Sequence, residues 1–118
     1  MKNATLEKMT VRIALDYDLT YTLDPDMWDN FIAIALNSNH DIRIVTARSP
    51  IHDVLPQEFI IPVIYCDGVA KKFHCTWFAD DGEGWLPDVW IDDKPENITN
   101  NSTATRDSLA EWRASRDA

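Results

Sequence analysis

Cysteine is scarce in this chain, and that scarcity already narrows its chemistry. Cys66 and Cys75 are the only two. Neither has a second pair at metal-ligand spacing, so no zinc site is expected. Long apolar runs are also missing, and no stretch is long enough to span a bilayer. Residues 1–10 are polar and show no apolar segment of the kind that opens a secretory leader, which points to the cytosol. In that setting the two thiols are expected to be reduced. The Asn-X-Ser/Thr sequons at Asn3, Asn97, Asn100 and Asn101 then carry no glycan. Positive charge is thin as well: 11 Lys and Arg stand against 20 Asp and Glu, for a net charge of -9. The basic residues are scattered, with Lys71-Lys72 the one adjacent pair. A long nucleic-acid backbone would be repelled.

What remains is ordinary for a globular chain. A hydrophobic content of 45% in 118 residues is enough for one core and suggests a single domain over 1–118. The acidity serves solubility, but the positions of the aspartates also suit a shared cation.

Val11-Arg12-Ile13-Ala14-Leu15-Asp16 reads as a strand ending in an acid. Asp24 and Pro25 have the chemistry of an N-cap and a first helical residue. Trp28, Phe31, Ile32, Ala35 and Leu36 follow at helical spacing and form one apolar stripe. The Asn37-Ser38-Asn39-His40 cluster ends that helix. A second strand runs over 41–46 and closes on Thr46. Ala47-Arg48-Ser49-Pro50 opens a helix or a turn capped by Ser49. A third strand is expected over 60–65, at a sheet edge because Pro62 cannot donate to a ladder. A short helix follows over about 69–78, then a turn-rich loop over 80–87 and a fourth strand over 88–92. Leu109 and Trp112 suggest a last helix over 106–115.

Strands alternating with helices predict an α/β fold, a three-layer Rossmann-like parallel sheet with helices on both faces. Right-handed crossovers bring every strand C-terminus to one edge, where ligands bind in such sheets. Asp16, Thr46 and Asp92-Asp93 fall at those ends. Asp16 and Asp18 are two residues apart, so extended backbone would turn both carboxylates toward one region. There they could share a hard cation such as magnesium. A calcium loop of the EF-hand type is excluded, because Tyr21 and Met27 occupy the positions that need glycine and glutamate. Thr46 suits a phosphate oxygen at a helix start, though capping alone also explains it. Lys71 and Lys72 read as phosphate ligands or as a solvated face.

Taken in order, Leu15-Asp16-Tyr17-Asp18-Leu19-Thr20, Ile44-Val45-Thr46-Ala47-Arg48, Lys71-Lys72 and Trp90-Ile91-Asp92-Asp93 resemble the haloacid dehalogenase-like (HAD) superfamily of phosphotransferases. The resemblance spans about 11–98. It implies a magnesium-dependent phosphohydrolase acting through an aspartyl-phosphate. Asp16 would be the nucleophile and Asp18 the general acid and base. Magnesium would be held by Asp16, the Asp18 backbone carbonyl and Asp92, with Asp93 acting directly or through a bound water. Thr46, Ala47 and Lys71 or Lys72 would hold the phosphate. The intervals between these motifs are too short for a cap domain, so the capless branch is the one resembled. An open site suits a phosphate on a larger molecule, or a homo-oligomer in which a neighbouring subunit serves as lid; the expected substrate is a nucleotide or another phosphorylated metabolite. The loop over 80–85 is the internal candidate for a partial lid, though a plain surface turn is the commoner role of such a loop. Tyr17 and Tyr21 are candidates to stack on a base or sugar, or else to pack the mouth of the site or the core, and Trp28 is expected in the core. The alternative is a module of the same fold that binds a nucleotide-like ligand without turnover. A response-regulator receiver domain ranks last, because its acids do not form Asp-X-Asp-X-Thr on the first strand.

Overall fold

The computed structural model describes residues 9–102, and the helix expected over 106–115 lies outside them. Four strands form one sheet: β1 (Arg12–Leu15), β2 (Asp41–Thr46), β3 (Val63–Tyr65) and β4 (Val89–Ile91). Their order is β3-β2-β1-β4 and every pairing is parallel. The first strand is therefore central between the second and the fourth. Leu15 pairs with Ile44 on one side and Ile91 on the other. That register puts Asp16, Thr46 and Asp92 at one edge of the sheet.

Local chemistry sets the element ends. After a single 3-10 turn at Tyr21–Leu23, α1 (Pro25–Asn37) begins as its sequence predicts. Asp24 Oδ1 accepts from the Met27 N–H at 3.2 Å, and Pro25 takes the first helical position. The helix stops where Asn39 enters the left-handed region at φ 66°. The Ala47-Pro50 segment forms a turn, with Ser49 Oγ accepting from the Ile51 and His52 N–H groups at 3.1 Å each. β3 starts at Val63, later than expected, because Pro62 has no N–H for the ladder; its carbonyl still accepts from Ile44 N at 3.0 Å. It is an edge strand, paired with β2 alone. Two short helices follow, α2 (Lys71–Trp77) and α3 (Glu96–Thr99).

Alternate strand residues feed two apolar clusters. Ile13, Leu15, Ile42 and Ile44 pack with Ile32 and Ala35 of α1, and Trp28 and Phe31 lie against them. Ala14 and Val45 pack instead with Cys66, Cys75, Ala79 and Trp85. Both cysteines are free and fully buried. Trp28 is thus part of the core. No helix among the described residues is long and apolar enough to cross a membrane.

The 80–85 loop is not at the site. The Trp85 indole donates to Asp41 Oδ2 at 2.9 Å, and Arg43 joins Asp41 to Asp80 while lying 4.5 Å over the Trp85 ring. Asp41 begins β2, so this loop is pinned at the end of the sheet opposite Asp16. An indole that can bury itself and still satisfy its N–H has reason to fold inward. Gly84 makes the turn, with φ +87° and a position where any Cβ would meet the Thr76 carbonyl oxygen at 2.4 Å. Gly84→Ala should therefore cost about 1–3 kcal/mol of stability, read from the midpoint of urea unfolding. An unchanged midpoint would mean that the loop does not hold this conformation in solution.

Candidate functional site

β1 ends at Leu15, and the chain turns at once. Asp16 N donates to the Ile91 carbonyl at 2.9 Å, which locks the acid beside the end of β4. Leu19 takes a positive φ of 61°, unusual for a side chain of its size, and its N–H donates to Thr22 Oγ1 at 2.9 Å. This turn brings Thr20 back toward the strand end. The Thr20 hydroxyl lies 3.0 Å from Asp16 Oδ2 and 3.4 Å from Asp93 Oδ1.

Lys71, the first residue of α2, comes in from the other side. Its Nζ donates to Asp16 Oδ1 at 2.8 Å and to Asp92 Oδ2 at 2.5 Å. The side chain is 2% exposed. Lys72 lies on the exposed face of the same helix, so the structure brings Lys71 to the acids and leaves Lys72 outside. The start of α2 is itself tied down: Ala70 N donates to Asn101 Oδ1 at 2.9 Å, and Ser102 N to the Gly68 carbonyl at 2.7 Å.

Asp16, Asp92 and Asp93 each offer a carboxylate oxygen within 4.8 Å of the others. Three hard oxygen donors at that spacing fit a divalent cation of the magnesium or calcium kind. The carboxylate of Asp18 is not in this group. The expectation that it would face the same way assumed extended backbone through residue 18, and the strand stops before that. Asp18 instead forms a two-pronged pair with Arg48, Nε to Oδ2 at 2.9 Å and Nη2 to Oδ1 at 2.7 Å.

Thr46 is 1% exposed, and its hydroxyl accepts from the Arg48 N–H at 3.2 Å. Ala47 and Arg48 give their carbonyls to Gly68 N and Asp67 N at 3.0 and 3.1 Å. Thr46 and Ala47 therefore share the sheet edge with Asp16 on a loop braced against the end of β3. Tyr17 and Tyr21 are buried and stack on each other at 5.6 Å, with Phe59 edge-on to both. Their hydroxyls donate to Gln57 and Asp29. Neither ring is free to stack on a base, because each is buried at 3% exposure and stacked on the other. Two residues that the motifs contain but whose roles were not assigned are Thr20 and Arg48. Their signals were spacing alone, four after Asp16 and two after Thr46.

The electrostatics follow from one cation held by two acids, Asp16 and Asp92, with Asp93 beside them. Burial pushes the Asp16 carboxyl up to about 7; Lys71 pulls it down, while Asp93 and Asp92 add to the rise. Burial also works against the Lys71 ammonium, but Asp16 and Asp92 outweigh it and hold the amine above its ordinary value. In comparisons with family models, curated proteins and solved structures, none matches this chain.

Two outcomes are expected. Lys71→Met leaves Asp16 and Asp92 without their buried counter-charge and should cost about 3–5 kcal/mol, measured by chemical unfolding in chelator. The second concerns pH. Folded Asp16 keeps its proton where the unfolded chain has already lost it, so in chelator its contribution to stability is present below 3.8 and is lost as pH rises to about 7. Asp16→Asn removes that dependence. Unfolding curves taken across this window should show the native protein losing stability relative to the variant; parallel pH profiles would contradict a raised Asp16.

Proposed function

We propose that this chain is a capless HAD-like phosphohydrolase, a magnesium-dependent phosphomonoesterase of the cytosol acting on a nucleotide or another phosphorylated metabolite. The observation that carries the reading is the convergence of Asp16, Asp92 and Asp93 around Lys71 at the edge where the parallel strands end. The two apolar clusters, one shared with α1 and one with α2, support the three-layer form of the fold. The intervals from Thr20 to Thr46 and from Thr46 to Lys71 hold only a 3-10 turn, α1, β2, a loop and β3, which supports the capless form.

Magnesium would be held by Asp16, Asp92 and Asp93, with the Asp18 backbone carbonyl. When bound, it supplies the positive charge that lets a carboxylate meet a phosphate. The chain's own groups do the rest. An Asp16 oxygen attacks phosphorus, and the bond to the leaving oxygen breaks as Asp18 passes it a proton. Water then attacks the aspartyl-phosphate, gives its proton to Asp18, and releases Asp16 and phosphate. Lys71 favours the ionised form of Asp16 against the effect of burial and orients it, and Thr20 fixes its second oxygen. Thr46 and Ala47 lie where the phosphate would sit.

One observation favours the alternative of a ligand-holding module without turnover: both oxygens of Asp18 are engaged by Arg48. A panel of phosphomonoesters separates the two. The native protein should release phosphate with magnesium and stop in excess chelator. Asp16→Asn should abolish release, and Asp18→Asn should slow it by roughly 10²–10⁴. Phosphate release that persists in chelator or in Asp16→Asn would remove the proposed chemistry. Tight phosphate binding with no release on any ester would leave the module.

A further inference from the structure

Arg48 is held far more firmly than the acid it grips. Its guanidinium lies 5.1 Å over the Tyr17 ring, and Nη1 reaches Asp53 Oδ1 at 3.4 Å and the Val54 carbonyl at 3.5 Å. Its backbone is fixed at both ends, the N–H by Thr46 Oγ1 and the carbonyl by Asp67 N. The Arg48 side chain is 14% exposed and the Asp18 side chain 48% exposed. If the pair opens, Asp18 is therefore the partner that leaves. Asp53 and the Tyr17 ring would keep the guanidinium in place, with its Nε and Nη2 edge vacated.

That edge has a defined chemistry. A guanidinium fork that receives two carboxylate oxygens in plane receives a carboxylate or phosphoryl group of a ligand equally well. Lys71 is already engaged by two acids in the interior, so it has little left for a second anionic group. Arg48 stands on the loop that leaves β2 after Thr46, next to Ala47, with its N–H on Thr46 Oγ1; Thr46 and Ala47 are the two residues proposed to hold the phosphate. Asp18, meanwhile, has no unoccupied oxygen while the fork holds it.

We propose that Arg48 is a latch on Asp18 and the specificity residue of this site, opened by a ligand that carries a second anionic group beside its phosphoryl group. The inference rests on the phosphoryl-binding reading of the site. The second anion takes the fork, Asp18 swings free, and its carboxylate becomes available for proton transfer. A ligand with a phosphoryl group alone leaves the latch closed. The substrate class is thereby narrowed to phosphorylated metabolites bearing a neighbouring carboxylate or second phosphate.

Two non-hydrolysable probes test this: methylphosphonate, with one anionic group, and phosphonoacetate, which adds a carboxylate. Calorimetric titration in magnesium should show the native protein preferring phosphonoacetate by about tenfold or more. Arg48→Ala should bring the two affinities to within about twofold, and Arg48→Lys should retain part of the preference. The ¹⁵N–¹H signal of Arg48 Nε should move with phosphonoacetate and stay in place with methylphosphonate; this readout needs no variant to fold. Equal affinities in the native protein, a preference that survives Arg48→Ala, an unmoved Nε signal, or no binding of phosphonoacetate at millimolar concentration would each overturn the proposal. A preference that depends on Arg48, found in a protein that hydrolyses no phosphomonoester, upholds the latch and removes the hydrolase reading instead.

Discussion

The buried ammonium of Lys71 is the interaction on which the site depends. An isolated amine in the interior carries a desolvation penalty of several kcal/mol, and only close carboxylates offset it. Asp16 and Asp92 do so from the ends of two adjacent strands. The lysine is thus a tie across the β1–β4 seam as well as a charge. It is also outnumbered: burial raises Asp16 first, Asp93 and Asp92 add to that rise, and a divalent cation would relieve their surplus of negative charge.

The supporting contacts all serve that placement. β1 must lie between β2 and β4 for Asp16 to meet both Asp92 and the Thr46 loop, and the parallel register achieves this. α2 must begin at Lys71 for its amine to enter the edge, and Asn101 and Ser102 anchor the approach to that helix. The loop between β2 and β3 forms the remaining wall. Tyr65 reaches it through the Leu55 N–H at 3.1 Å, and Tyr17 through Gln57 at 2.6 Å. This wall holds Arg48 and, through it, the Asp18 carboxylate. The 80–85 loop takes no part in it; its aspartates and tryptophan close the other end of the sheet.

Much of the architecture was legible in the residues. Strand and helix periods, the Asp24-Pro25 start, the Asn37-His40 stop and the edge position implied by Pro62 are properties of short stretches of chain. They act through backbone sterics and local hydrogen bonds, so they can be read without knowing what lies across the fold. The parallel order followed from crossover handedness, and that order alone brings Asp16, Thr46 and Asp92-Asp93 to one edge. Side-chain direction was less accessible. The period-of-two argument for Asp18 failed because the strand ends at Leu15 and residues 17–20 form a turn in which Leu19 is left-handed.

The sequence by itself determined the sheet, the edge where its strands end and the acids that gather there, because burial pattern and strand order follow from local chemistry and chain handedness. Tertiary structure alone decided which lysine enters. Lys71 and Lys72 are identical in type and adjacent in the chain, and only the rotation of α2 about its axis turns one inward and the other to solvent. It likewise decided that Tyr17 and Tyr21 stack on each other and that Trp85 turns away from the site. It also paired Asp18 with Arg48 across thirty positions of sequence. Such pairings depend on which distant groups arrive within hydrogen-bond reach, and no local period encodes that.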